Sequence, residues 1–144
     1  MVRLGISVAL AVGLAGPAFA EPIGMVKTAS GDAAIMRDGN KLAAAPGLPL
    51  ERKDQVVTGA DGQLGFTLKD DTTISVGPKT VMGLEEFDFQ PAADKLGLVA
   101  SLSRGTMLMT TGAIAKLSPD KVSVQTKTGT IGVRGTRFLV NVDE

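Results

Sequence analysis

Val122-Ser-Val-Gln-Thr126, Lys127-Thr-Gly-Thr130 and Ile131-Gly-Val-Arg-Gly-Thr-Arg-Phe-Leu-Val140 run in succession near the end of this chain. Val122 and Val124 share one side with Thr126, while Lys121, Ser123 and Gln125 share the other. Beyond Gly135, the side occupied by Phe138, Val140 and Val142 alternates with that of Arg137, Leu139 and Asn141. Side chains on a strand point to opposite faces in turn, so this two-residue period marks half-buried strands. Gly129, Gly132 and Gly135 recur at every third position, where a side chain would obstruct a tight corner or a close backbone approach. Such strands need others beside or above them. The stretch reads as the closing element of an all-β domain.

Working outward, the same pattern fills the preceding residues. Gln63 to Leu68 places Leu64, Phe66 and Leu68 on one face, Lys69-Asp70-Asp71 turns, and Thr72 to Val76 returns with Ile74 and Val76 inward. This is the clearest β-hairpin of the sequence. Upstream, Ile23–Thr28 and Ala33–Arg37 read as a pair of strands joined near Ser30-Gly31-Asp32. A turn is expected at Asp38-Gly39-Asn40, and Lys41 to Leu50, with Pro46-Gly47 and Pro49, reads as a loop. Asp54 to Gly59 is a further strand, and Gly77-Pro78 a break, since Pro78 has no amide donor for a ladder. Thr80 to Phe89 alternates Met82, Leu84, Glu86 and Asp88 against Val81, Glu85, Phe87 and Phe89, and the acidic end of the first set points it to solvent at least late in the strand. Leu96 to Leu102 and Met107 to Met109 read as separate strands divided by a turn at Ser103-Arg104-Gly105. Gly112 to Asp120 is the longest irregular piece. About ten or eleven short strands result, with turns about every 8–12 residues and no sustained helical stripe. A sandwich, a partly open roll and an irregular solenoid all fit this spacing.

Residues 1–20 have the form of a cleavable secretory signal: Arg3, an apolar run, Gly16-Pro17, and a small-residue site ending at Ala20. The run is shorter than the ~20 residues of a membrane-spanning helix, so no stable span is expected after cleavage. Without cysteine there is no lipid-attachment box and no disulfide, and residues 21–144 are expected to form one domain held by burial and backbone pairing. The charge balance is near neutral, 15 basic against 15 acidic residues, which offers no footprint for nucleic acid. Five Phe with no Tyr or Trp leave few walls for a small-molecule pocket, and no small ligand is expected.

The closing stretch also resembles a known family. Val-x-Val-x-Thr126 followed by Ile131-Gly-Val-Arg-Gly-Thr-Arg-Phe138 is similar to the C-terminal signature of the FecR domain, a periplasmic module of ferric-siderophore and related signalling proteins. Two earlier blocks extend the resemblance over about Gly24 to Val142. One is Gly24-x-Val26 with Gly31-Asp-Ala-Ala-Ile35. The other is Lys53-Asp54-Gln-Val-Val-Thr-Gly59 with Phe66-x-Leu68-x-Asp70-Asp-Thr72 and Val76-Gly77-Pro78. Leu102-x-x-Gly105 leads from these into the signature. The resemblance implies a twisted, elongated stack of short strands. It also implies a module that works by contacting another envelope or signalling protein. Full regulators of the family carry an anti-sigma segment and a spanning helix, which residues 1–20 do not resemble, so the anti-sigma role is not expected to carry over.

The chemical inventory points away from catalysis. No His and no Cys are present, which removes the usual general base, thiolate nucleophile and imidazole ligands. Neighbouring carboxylates such as Asp70-Asp71 and Glu85-Glu86 point to opposite faces of a strand. Glu86 and Asp88 share a face but supply too few of the six to eight oxygens that a hard cation takes. These carboxylates, with Asp143-Glu144, read as solvated surface, and neither metal nor cofactor is expected. Met107, Met109 and the Phe residues 66, 87, 89 and 138 read as core. Arg134, Gly135, Thr136 and Arg137 are the candidate partner-binding residues, because guanidinium groups at an exposed corner suit a partner's carboxylates. The competing reading has Arg134 tie the corner to its own domain. The expected function is an exported, non-enzymatic interaction or sensory module, periplasmic or secreted. The alternative is a structural or adhesive envelope protein.

Overall fold

In the computed structural model, which describes residues 21–133 and 135–143, twelve strands form one continuous sheet that curls into a half-barrel. The strands are β1 (Gly24–Ser30), β2 (Ala33–Arg37), β3 (Asn40–Ala43), β4 (Pro49–Leu50), β5 (Gln55–Thr58), β6 (Gln63–Leu68), β7 (Thr73–Val76), β8 (Val81–Gln90), β9 (Lys95–Thr110), β10 (Val122–Thr126), β11 (Gly129–Gly132) and β12 (Arg137–Val142). One short helix, α1 (Ala113–Leu117), and two single 3-10 turns, at Pro91–Ala93 and Pro119–Lys121, complete the described chain. The all-β expectation is therefore met. The expected leader at residues 1–20 and Arg134 lie outside the described residues.

The sheet has two wings that meet in β9. One wing runs β4-β1-β6-β7 and joins the second half of β9, whose other side takes β12. The other runs β3-β2-β5-β8 and joins the first half of β9, whose other side takes β10 and then β11. All pairs are antiparallel except β9 with β10. The inner faces of both wings share a core that includes Val26, Ile35, Val56, Phe66, Ile74, Leu98, Met107 and Val124, all fully buried. Met107 and Met109 are core residues, and so are Phe66 and Phe87, while Phe89 and Phe138 pack against it half-buried.

Four expectations are corrected, each for a physical reason. β1 and β2 do not pair with each other. The corner at Gly31 (φ 62) sends β1 to β6 and β2 to β5, into different wings. Lys41 to Leu50 is not all loop. Asp38 and Gly39, both at positive φ, close a type I′-like hairpin that returns as β3, and β4 follows. In β8 the first set divides: Glu86 and Asp88 are exposed, as expected late in the strand, but Met82 and Leu84 face the core. Leu84 opposes Ala100 and Glu86 opposes Val99, so Glu85 is the extra residue of a β-bulge that shifts the phase and turns Phe87 inward. Ser103-Arg104-Gly105 does not end a strand. Val81 opposes Arg104 and Met82 opposes Leu102, so Ser103 is another bulge residue, and β9 continues past it. Its buried positions change from Leu98, Ala100 and Leu102 to Met107 and Met109.

Two buried carboxylates tie neighbouring segments of the fold together. Asp54 is 0% exposed and accepts from Arg37 Nε (2.9 Å), Arg37 Nη2 (2.7 Å) and the Glu51 amide (2.9 Å), tying β2 to the start of β5. The hydrogen bond to Asp54 raises the Arg37 pKa above its already high ordinary value, against the lowering effect of burial. A raised pKa stabilises the fold below the unfolded value and loses that contribution only as pH climbs through the folded one. The pair's cationic side is therefore unaffected until strongly alkaline pH. Asp70 is the second knot. It accepts from the Thr72 amide (3.1 Å), the Thr72 hydroxyl (2.8 Å) and the Ile114 amide (3.2 Å), and it is 1% exposed. The reading of Asp70 as a solvated turn carboxylate is thus corrected. The turn folds back under α1, and beside the local donors of Thr72 the side chain meets the Ile114 amide, which only the tertiary fold supplies.

Candidate corner and groove at the closing hairpin

β10 and β11 form a hairpin through Lys127-Thr128, with the Thr126 hydroxyl donating to the Gly129 carbonyl at 3.0 Å. β10 is covered on its other side by β9, but among the described residues β11 pairs only with β10. Gly129, Thr130, Ile131 and Gly132 are all exposed. Between this hairpin and α1 lies an open groove of about 1040 Å³. Its apolar lining comes from Ala115, Pro119, Val122 and Val133, its polar lining from Asp120, Ser123 and Thr130, and Gly135 stands at one wall. Among the described residues the lining contains no aromatic ring.

The corner that follows is anchored by Thr111, at the end of β9. Its amide donates to the Thr136 carbonyl (2.8 Å), and its hydroxyl lies within reach of the carbonyls of Gly135 (3.1 Å) and Thr136 (3.3 Å). Gly135 has φ 99, yet a Cβ there would meet nothing within 4 Å. Glycine is needed for backbone conformation, not for space. Of the four candidate binding residues, Gly135 and Thr136 thus contribute carbonyls to a structural joint. Arg137 is exposed and has no ion-pair partner among the described residues. Arg134 lies outside them. Thr111→Val is expected to cost about 1–2 kcal/mol by removing a nearly buried donor, while Arg137→Ala stays within about 0.5 kcal/mol of the parent. Denaturant unfolding of the two variants side by side checks both values.

Charge is distributed unevenly. Residues 112–142 contain Lys116, Lys121, Lys127, Arg134 and Arg137 against the single acid Asp120, a net +4. Residues 21–111 contain nine basic and twelve acidic residues, a net −3. The ion pairs of the described residues fall in that first part: Arg37 with Glu51 and Asp54, Arg52 with Asp88, Lys53 with Glu85, and Lys69 with Glu21. The closing region is therefore basic and unpaired among the described residues. Near-neutral total charge hid this, and a count taken by segment would have found it. The groove was missed because its lining comes from strand residues and from a piece read as irregular.

No group of three or more acidic residues among the described residues is placed to hold a metal ion. Glu86 and Asp88 are exposed, and Asp88 faces Arg52 at 3.4 Å. Asp71 is exposed at φ 68 beside the buried Asp70.

A family model described as FecR protein matches residues 54–144. The chain belongs to the FecR family. The FecR match begins at Asp54, the buried acid that holds Arg37, and takes in β5 to β12 with the closing signature. The block from Gly24 to Ile35 precedes the matched residues, although β1 and β2 pair directly with β6 and β5. FecR proteins are signalling and regulatory modules, a non-enzymatic family whose members engage signalling proteins and whose FecR domains are periplasmic. Neither the curated proteins nor the solved structures gave a match. Among the described residues no helix is long and apolar enough to cross a membrane.

Proposed function

We propose that this chain is an exported FecR-type module, a single β domain over residues 21–144 behind a cleavable leader, that binds another protein of the cell envelope and carries out no catalysis. The reading is supported most directly by β11, a fully exposed strand with one unpaired edge beside an open groove. Free strand edges template pairing with other chains, and the FecR signature forms one wall of that groove through Gly135. Arg134 and Arg137 border the same surface in sequence and supply guanidinium groups for a partner's carboxylates. A ring-free lining suits a polypeptide better than a small aromatic ligand. The absence of His and Cys from the whole chain favours contact over chemistry.

A photo-crosslinking amino acid placed at exposed Thr130 tests this in intact cells, with exposed Thr73 on the other wing as the control. The expected result is a discrete crosslinked protein from Thr130 and none from Thr73. Equal labelling at both sites would sink the reading, and products containing only this chain would favour the structural or adhesive alternative. Sequencing of the mature form from the periplasmic fraction is expected to begin at Glu21.

A further inference from the structure

We infer that the occupant of this surface is an extended, acidic segment of the partner, which pairs along the outer edge of β11 as an added strand. The inference rests on the proposed binding role and names the chemistry of what is bound. The other margins of the sheet are guarded. β4 is two residues long and begins with Pro49, β3 contains Lys41, and β12 begins with Arg137. Short length, proline and charged side chains are the usual devices that keep an edge from pairing. β11, Gly-Thr-Ile-Gly, has neither charge nor proline, and its small residues let another backbone approach.

Complementary charge selects the occupant. Lys127 directly follows β10 and with Thr128 makes the turn into β11. Lys121 sits at the opposite end, next to Val122, whose carbonyl accepts from the Val133 amide at 3.4 Å. Exposed cations therefore bracket the edge at both ends, and Lys116 on α1 stands beyond the groove. Among the described residues none of the three takes part in an ion pair. Opposite charge at an interface speeds encounter and fixes register, and like charge rejects wrong partners. A basic strand, β3 of a second copy with its Lys41 included, is thus disfavoured. Alternate side chains of an added strand point to one face. Apolar residues at every second position would then follow Ile131 and the groove, and acids between them would meet the lysines.

The test uses the full chain and dye-labelled peptides of alternating valine and glutamate, or alternating valine and lysine, each matched to β11 in length. The glutamate peptide is expected to bind at least about tenfold more tightly than the lysine peptide, with the difference shrinking as salt rises. The pair Lys121→Glu and Lys127→Glu, both at exposed positions, is expected to reverse the preference without changing the unfolding midpoint. Glutamate peptide N-methylated at alternate residues is expected to lose binding, because strand addition requires its amide donors. Equal binding of the two charges, or retention of affinity on N-methylation, overturns the inference. In that event a Thr130 crosslink to a partner protein would leave the binding role standing, whereas loss of both results would end that role too.

Discussion

Gly105→Ala is expected to leave little folded protein, with a loss of more than about 3 kcal/mol and a fall of about 10 °C or more in Tm. Two independent costs combine at this residue. Its φ of 97 is one that L side chains adopt only with strain, worth about 1–2 kcal/mol. A Cβ there would also collide with the Thr80 hydroxyl and lie 2.5 Å from the Thr80 Cα. The collision with a Cα is relieved only if the backbone moves, and Thr80 is not free to move. Its hydroxyl accepts from the Thr106 amide at 3.1 Å, and its own amide donates to the Thr58 hydroxyl at 2.9 Å. That hydroxyl in turn donates to the Gly77 carbonyl at 2.7 Å. Pushing Thr80 away therefore breaks a chain of bonds that links the β7–β8 loop to β5 and β9. Gly39→Ala supplies the comparison, since Gly39 has φ 78 with nothing within 4 Å of a Cβ. It should show the conformational cost alone, about 1 kcal/mol. Equal losses for the two variants, read by circular dichroism melts, would mean that the Gly105 corner is not tightly packed.

Asp70→Ala carries the second large effect. Removing the carboxylate strands the Thr72 amide, the Thr72 hydroxyl and the Ile114 amide in a buried site, for about 3–5 kcal/mol in total. The damage has a location as well as a size. Ile114 is the second residue of α1, and Gly112 at the helix start packs so closely that an added Cβ would overlap the Asp70 carbonyl and lie 2.5 Å from the Thr72 nitrogen. Releasing Asp70 thus loosens the helix that walls the groove. Amide hydrogen exchange at Ile114 should accelerate more than exchange at core positions such as Phe66. Asp71→Ala, one residue along and exposed, should cost no more than about 1 kcal/mol. Uniform acceleration throughout the sheet, or equal costs at Asp70 and Asp71, would show that Asp70 does not serve as a local clamp.

These cases explain what the sequence revealed and what it concealed. The β6–β7 hairpin was legible because Leu64, Phe66 and Leu68 alternate without interruption and answer Ile74 and Val76 across one turn. β8 and β9 were misread where bulges at Glu85 and Ser103 shift the alternation by one residue. A period-2 reading cannot carry across such a shift. At Ser103-Arg104-Gly105 the letters of a turn mark a bend within a strand that changes wings. β1 and β2 follow one another in sequence, yet their partners were set by distant strands. Asp70 had the composition of a turn and the environment of a core, and nothing near it in sequence announces α1 folding over it. At the candidate site, the corner glycine and the exposure of Arg137 were legible. The bare edge of β11 and the groove were not, because both depend on which neighbours a strand lacks.

The placement of β9 governs when the molecule can fold. Every ladder of either wing leads to this one strand, so neither wing closes before Lys95–Thr110 has left the ribosome. Its partners include strands from both earlier and later in the chain, a high contact order that slows folding. Nascent chains ending before Lys95 should remain sensitive to protease, and resistance should appear only after the last strands emerge.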